Sequence, residues 1–86
     1  MNAGKEDRHL VSDARDELRA IDRETALRIL HAVDHYLTTG TGDVIKLQPP
    51  RSEFRLRVGD YRVLFLRIHA TSIEVLHVRH RREAYQ

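Results

Sequence analysis

The chain has no cysteine. That excludes disulfides and thiolate metal ligation as ways of holding a small fold together, and it is compatible with a reducing compartment. No apolar run approaches the roughly 20 residues of a membrane-spanning helix. The start, Met1-Asn2-Ala3-Gly4-Lys5-Glu6-Asp7, lacks the apolar centre of a signal peptide. The expected location is therefore the cytoplasm. There is no internal repeat and no low-complexity segment. Lysine is scarce as well: of the 15 basic residues, all but Lys5 and Lys46 are arginine.

What is present is 86 residues, enough for one small domain spanning 1–86. A chain of this size buries only about two-thirds of its unfolded surface, so its core must be compact. The formal net charge is +2, but it is unevenly spread. Residues 1–25 carry five basic and seven acidic side chains, and residues 26–50 carry two of each. Residues 51–86 carry eight arginines against four carboxylates, a net of +4. Arginine's planar fork grips phosphate through two parallel hydrogen bonds and stays charged at any relevant pH. An arginine-only C-terminal half points to nucleic acid or an acidic partner. Ordinary solvated strand faces in an arginine-rich chain would give the same composition.

The first half has helical periodicity. Ser12 is a candidate cap, followed by Asp13 and Asp16 where a helix dipole favours acid, and Ala14, Leu18 and Ile21 fall at helical spacing. Asp13, Asp16 and Glu17 read as a solvated helix face. Asp22 is a possible cap for a second helix, whose stripe is Ala26, Ile29, Leu30, Val33 and Leu37. Gly40 suits a left-handed helix end. Two short amphipathic helices of this kind form a hairpin packed on a sheet.

After Pro49-Pro50 the period changes to alternation. Strands are expected over 52–58, 61–69 and 73–79, the first two joined by the Gly59-Asp60 turn and the last two by Ala70-Thr71-Ser72. Residues 44–47 can add a short extended piece, and residues 8–11 an edge strand. The middle strand carries Val63 and Phe65 on one side and Leu64 and Leu66 on the other, as a central strand should. The predicted class is α+β, with two N-terminal helices on one face of a small antiparallel sheet. The helices cover Tyr61, Val63 and Phe65, and Arg62 looks out from the open face beside Arg55 and Arg57.

Three pieces, in order, carry a family resemblance. They are the helix pair from Ala14 to Leu37; Lys46-Leu47 with Phe54-Arg55-Leu56-Arg57-Val58-Gly59-Asp60-Tyr61-Arg62-Val63; and the ending His77-Val78-Arg79-His80-Arg81-Arg82-Glu83-Ala84-Tyr85. Together they cover nearly the whole chain, which resembles the RelE/ParE superfamily of bacterial type II toxins. The resemblance implies the same two-helix, antiparallel-sheet fold. For a RelE-like member it implies cleavage of messenger RNA in the ribosomal A site, without metal or other cofactor. The implied partners are a cognate antitoxin, the ribosome and mRNA. For a ParE-like member it implies non-enzymatic trapping of DNA gyrase, and a third possibility is a non-toxic antitoxin-binding relative. By the same resemblance Arg62, Arg81 and Tyr85 are the catalytic candidates, and Arg55, Arg57 and His80 the RNA-binding ones. Arg79 stands where the family usually has glycine, which adds positive charge near that site.

Metal-free RNA cleavage needs a base for the 2′-hydroxyl, cations for the charged phosphorane, and an acid for the leaving 5′-oxygen. Arg55, Arg57 and Arg62 could hold the phosphate, and Arg81 could add charge or donate to the leaving oxygen. Tyr85 serves as base only if neighbouring arginines lower its pKa from about 10. His80 has the intrinsic pKa for acid–base work. Structural roles stand beside these: Tyr61 as a core aromatic, Arg57 as an ion-pair partner of Asp60 or Glu53, and Tyr85 as a frayed end. His31 and His35 have the i, i+4 spacing of helix metal ligands but no evident third ligand, and His77 and His80 face opposite sides of a strand.

Overall fold

A computed structural model of the chain describes residues 7–84. The elements are β1 (Asp7–Leu10), α1 (Ser12–Arg19), α2 (Arg23–Thr39), β2 (Val44–Lys46), β3 (Phe54–Val58), β4 (Tyr61–His69), β5 (Ser72–His80) and α3 (Arg81–Ala84). The five strands form one sheet in the order β1-β5-β4-β3-β2. The α+β arrangement predicted from the periodicity is the one observed, with β4 at the centre. One pairing departs from an all-antiparallel sheet: β1 runs parallel to β5, with Arg8 opposite Ile73 and Leu10 opposite Val75. Arg8 then pairs through Nε with Asp34 Oδ1 of α2 at 2.6 Å, which ties this polar edge strand to the helix layer.

The helix boundaries follow from capping. Asp22 caps α2, its Oδ2 accepting the Thr25 N–H at 3.0 Å. That bond favours the charged carboxylate and holds its pKa below the usual aspartate value. Gly40 ends the helix with φ of 77°, donating its N–H to the Tyr36 carbonyl at 2.8 Å. Ser12, in contrast, is not the cap of α1. Val11 holds that position, and no side chain caps the helix. The reason lies in the sheet: the Val11 N–H bonds the Val75 carbonyl at 3.1 Å, which carries the β1 pairing up to the first helical turn.

Both helices pack on one face of the sheet. Ala14 and Leu18 from α1 and Ile29, Val33, Tyr36 and Leu37 from α2 meet Leu56, Val63, Phe65, Ile73, Val75 and Val78. Phe65 sits at the middle with no exposure. Its ring centroid is 5.5 Å from those of both Tyr36 and Phe54, within the range of favourable aromatic pairs. Arg67 closes this end of the core. It donates to the Tyr36 hydroxyl and lies 5.5 Å from the Tyr36 and Phe54 ring centroids. That arginine therefore serves packing, not the opposite face. Among the described residues, no helix is long and apolar enough to cross a membrane.

Candidate nucleic-acid interface

Alternation sends the neighbours of these core residues to the other face. The hairpin register there follows from the two-residue turn: with Gly59 and Asp60 at its tip, Val58 pairs with Tyr61 and Arg57 with Arg62. Gly59 has φ of 58°, the left-handed conformation such a turn needs. On the far side of β4, Arg62 pairs with Arg79 of β5. Three arginines from three adjacent strands thus form one row across the sheet. The next row holds Ile45, Arg55, Leu64 and His77.

Like charges directly opposite one another repel, and the row accommodates this by sending its members in different directions. Arg57 is drawn outward to Asp43, with Nε 2.6 Å from Oδ2. Arg79 is drawn the other way, to Glu17 of α1, with Nε 3.6 Å from Oε2. Among the described residues, the middle arginine has no carboxylate partner. Arg62 Nη1 donates to the carbonyls of Gly59 and Tyr61, both at 3.0 Å. Its Nε is buried and has no hydrogen-bond partner among the described residues. Arg62 is only 6% exposed, which corrects the expectation that it looks out freely from the open face. It belongs to that face by register, but the flanking side chains and the turn enclose it. Arg55, Arg57 and Arg62 line a pocket of about 120 Å³ together with Asp43 and Ile45.

Arg81 lies at the same turn. Its N–H donates to the Asp60 carbonyl at 2.7 Å, and its Nε is 3.8 Å from Asp60 Oδ1. Asp60 therefore pairs with Arg81, and Glu53 with Arg51, so neither is the partner of Arg57. The Arg51 bond also holds the Glu53 carboxyl below its usual pKa. His80 packs edge-on to Tyr61, with ring centroids 5.4 Å apart, on the helix side of the sheet. Its Nδ1 accepts the Arg82 N–H at 3.2 Å, which leaves the proton of a neutral imidazole on Nε2. Tyr85 lies outside the described residues. His35 bonds Thr41 Oγ1 at 3.0 Å. Among the described residues, no group of three or more histidines, aspartates or glutamates is placed to hold a metal ion.

Two site residues escaped the sequence reading. Asp43 needed the β2–β3 register, which a three-residue edge strand does not advertise. Glu17 read as part of a solvated helix face, yet it is half-buried against β5. Its Oε1 accepts the Val78 N–H at 2.8 Å, on the stretch of β5 that extends past β1. Asp13 and Asp16 are exposed as anticipated.

Solved structures share this architecture. The RelB–RelE antitoxin–toxin complex of Methanococcus jannaschii matches with a TM-score of 0.71 at 20% identity, over 90% of this chain and 94% of that one. The toxin–antitoxin complex RelBE2 of Mycobacterium tuberculosis matches at 0.73 and 19% identity, over 87% and 96%. The archaeal RelE–RelB complex of Pyrococcus horikoshii matches at 0.68 and 23% identity, over 94% and 97%. No curated protein sequence matches significantly. These matches show that the chain shares the fold of those complexes. Residues 10–85 match the family of the ParE toxin of type II toxin–antitoxin system, parDE, and the chain belongs to that family.

Proposed function

We propose that this toxin is a ribosome-dependent endoribonuclease that cuts messenger RNA and blocks translation in the cytoplasm. The observation that carries the reading is the buried, partly unsatisfied guanidinium of Arg62 between Arg57 and Arg79, on a hairpin turn that also holds Arg81. A buried cation without a carboxylate is costly unless an anion completes it. The phosphodiester supplies that anion, and its charge grows in the phosphorane that cleavage forms. In this reading Arg62 and Arg57 grip the phosphate, and Arg55 extends the basic surface along β3. Arg81 stabilises the leaving 5′-oxygen. The base in this reading is Tyr85, the role the family resemblance implies for it. His80, with its Nε2 proton, is a second proton donor within the same ending.

A cognate antitoxin is the natural partner of such a protein. A helix or extended acidic segment laid over the basic face would neutralise the arginine row and keep RNA away. The family match to ParE toxins favours a second reading, in which the same surface holds DNA gyrase in its cleaved complex without catalysis; a shared fold does not choose between them. Two assays separate the readings. Purified protein added to translating ribosomes should cut the message at the A site, and purified gyrase should supercoil DNA at its normal rate in its presence. Inhibited supercoiling with intact RNA would select the gyrase reading. In cells, Arg62→Ala combined with Arg81→Ala should abolish growth arrest. Undiminished arrest in that double variant would discard the site.

A further inference from the structure

We propose that Arg79 is a third phosphate-binding arm of this site, parked on Glu17 in the free protein and released to the phosphodiester when RNA binds. The inference rests on the nuclease reading and deepens it. By strand register Arg79 stands directly opposite Arg62, so its backbone lies in the arginine row. Its guanidinium is elsewhere, turned around the β5 edge toward α1, where Nε lies 3.6 Å from Glu17 Oε2. That separation is long for a charge-assisted hydrogen bond, and both partners are partly exposed, so the hold by Glu17 is weak; Nη2 also lies 3.2 Å from Nδ1 of the neighbouring His77. Glu17 does not depend on Arg79: its Oε1 keeps the Val78 N–H at 2.8 Å, and Oε2 lies 3.3 Å from His77 Nδ1. Releasing the arginine therefore orphans nothing on α1.

The reason for parking is electrostatic. Three guanidinium groups in register repel one another, and the outer two are drawn apart to Asp43 and Glu17. A phosphate over Arg62 reverses the sign of that interaction and draws the outer arms inward. In its parked position Arg79 lines an open cleft of about 560 Å³ with Glu17, Tyr61 and His80, so its guanidinium is not packed in on that side. The side chain stays charged throughout, so the exchange needs no proton transfer.

The test is binding of a short single-stranded 2′-O-methyl RNA, which cannot be cleaved, by the full chain over a series of salt concentrations. Arg79→Ala should weaken binding about five-fold on every sequence and reduce the slope of log affinity against log salt by about one. Arg79→Lys should restore the slope. Glu17→Gln keeps an oxygen for the Val78 N–H while freeing Arg79, and should tighten binding about three-fold; in an Arg79→Ala background that gain should vanish. The inference is overturned if the wild type binds and Arg79→Ala changes neither affinity nor slope. It is equally overturned if the Glu17→Gln gain persists without Arg79, because net charge alone then explains it. A wild type that fails to bind the RNA at any salt overturns this inference, whereas the nuclease reading, which depends on the ribosome, is overturned by intact message on translating ribosomes.

Discussion

Arg62 has two carbonyl acceptors for Nη1, no partner for Nε, and almost no contact with solvent. The two carbonyls repay only part of the desolvation of its charge, so the fold tolerates the residue at a cost. Replacing a buried, incompletely paired charge with an apolar side chain of similar volume is often neutral or stabilising. Arg62→Met should therefore raise unfolding stability by about 1 kcal/mol. The same variant should lose growth arrest, since the cation at the centre of the row is gone. Urea denaturation alongside an arrest assay checks both halves, and a variant that is destabilised yet still toxic would contradict both. The placement of Arg62 beside Arg57 was legible, because a Gly-Asp turn fixes which residues of a hairpin face each other. Its burial was not, because it depends on how the folded turn brings the Gly59 and Tyr61 carbonyls onto its guanidinium.

Elements with local signals were legible and those with distant partners were not. Asp22 and Gly40 bracket α2 by backbone chemistry contained within a few residues, and the apolar run from Val63 to Leu66 marks β4 as a central strand. β1 is four polar-leaning residues whose strand character comes from a parallel partner more than sixty positions away. Its continuation through Val11 displaced the expected Ser12 cap. The short α3 follows β5 without any periodic pattern to announce it. The Asp22 cap carries a pH prediction. Its folded pKa lies below its unfolded value, so the native state binds this proton less readily than the unfolded state. The stabilisation is complete above the ordinary aspartate range and is lost as pH falls through the folded pKa. Asp22→Asn keeps a capping oxygen but cannot titrate. The stability advantage of wild type over Asp22→Asn should therefore shrink on acidification. Denaturation midpoints of both proteins across the acid range measure this, and the Glu53 contribution, common to both, cancels in the difference. A gap that stays constant with pH would show that the cap does not titrate in this way.

At the scale of the whole molecule, β4 joins two functions by alternation alone: Val63 and Phe65 anchor the core while Arg62, one position away, anchors the basic row. The site has no scaffold of its own, so its geometry is only as firm as the single core beneath it. A domain of this length is stable by about 4–13 kcal/mol, and truncating a buried phenylalanine costs about 3–5 kcal/mol. Phe65 has no exposed surface and packs against both Tyr36 and Phe54, so its loss leaves a cavity that two aromatic rings border. Phe65→Ala should consume most of the stability, broaden or abolish the cooperative urea transition, and disperse the arginine row without altering any arginine. RNA binding should fall with the folded fraction. Phe65→Leu, which keeps most of the volume, should retain both the transition and the binding. If Phe65→Ala unfolds but still binds RNA with wild-type affinity and salt slope, the basic chain alone accounts for binding, and the ordered row across β3, β4 and β5 does not.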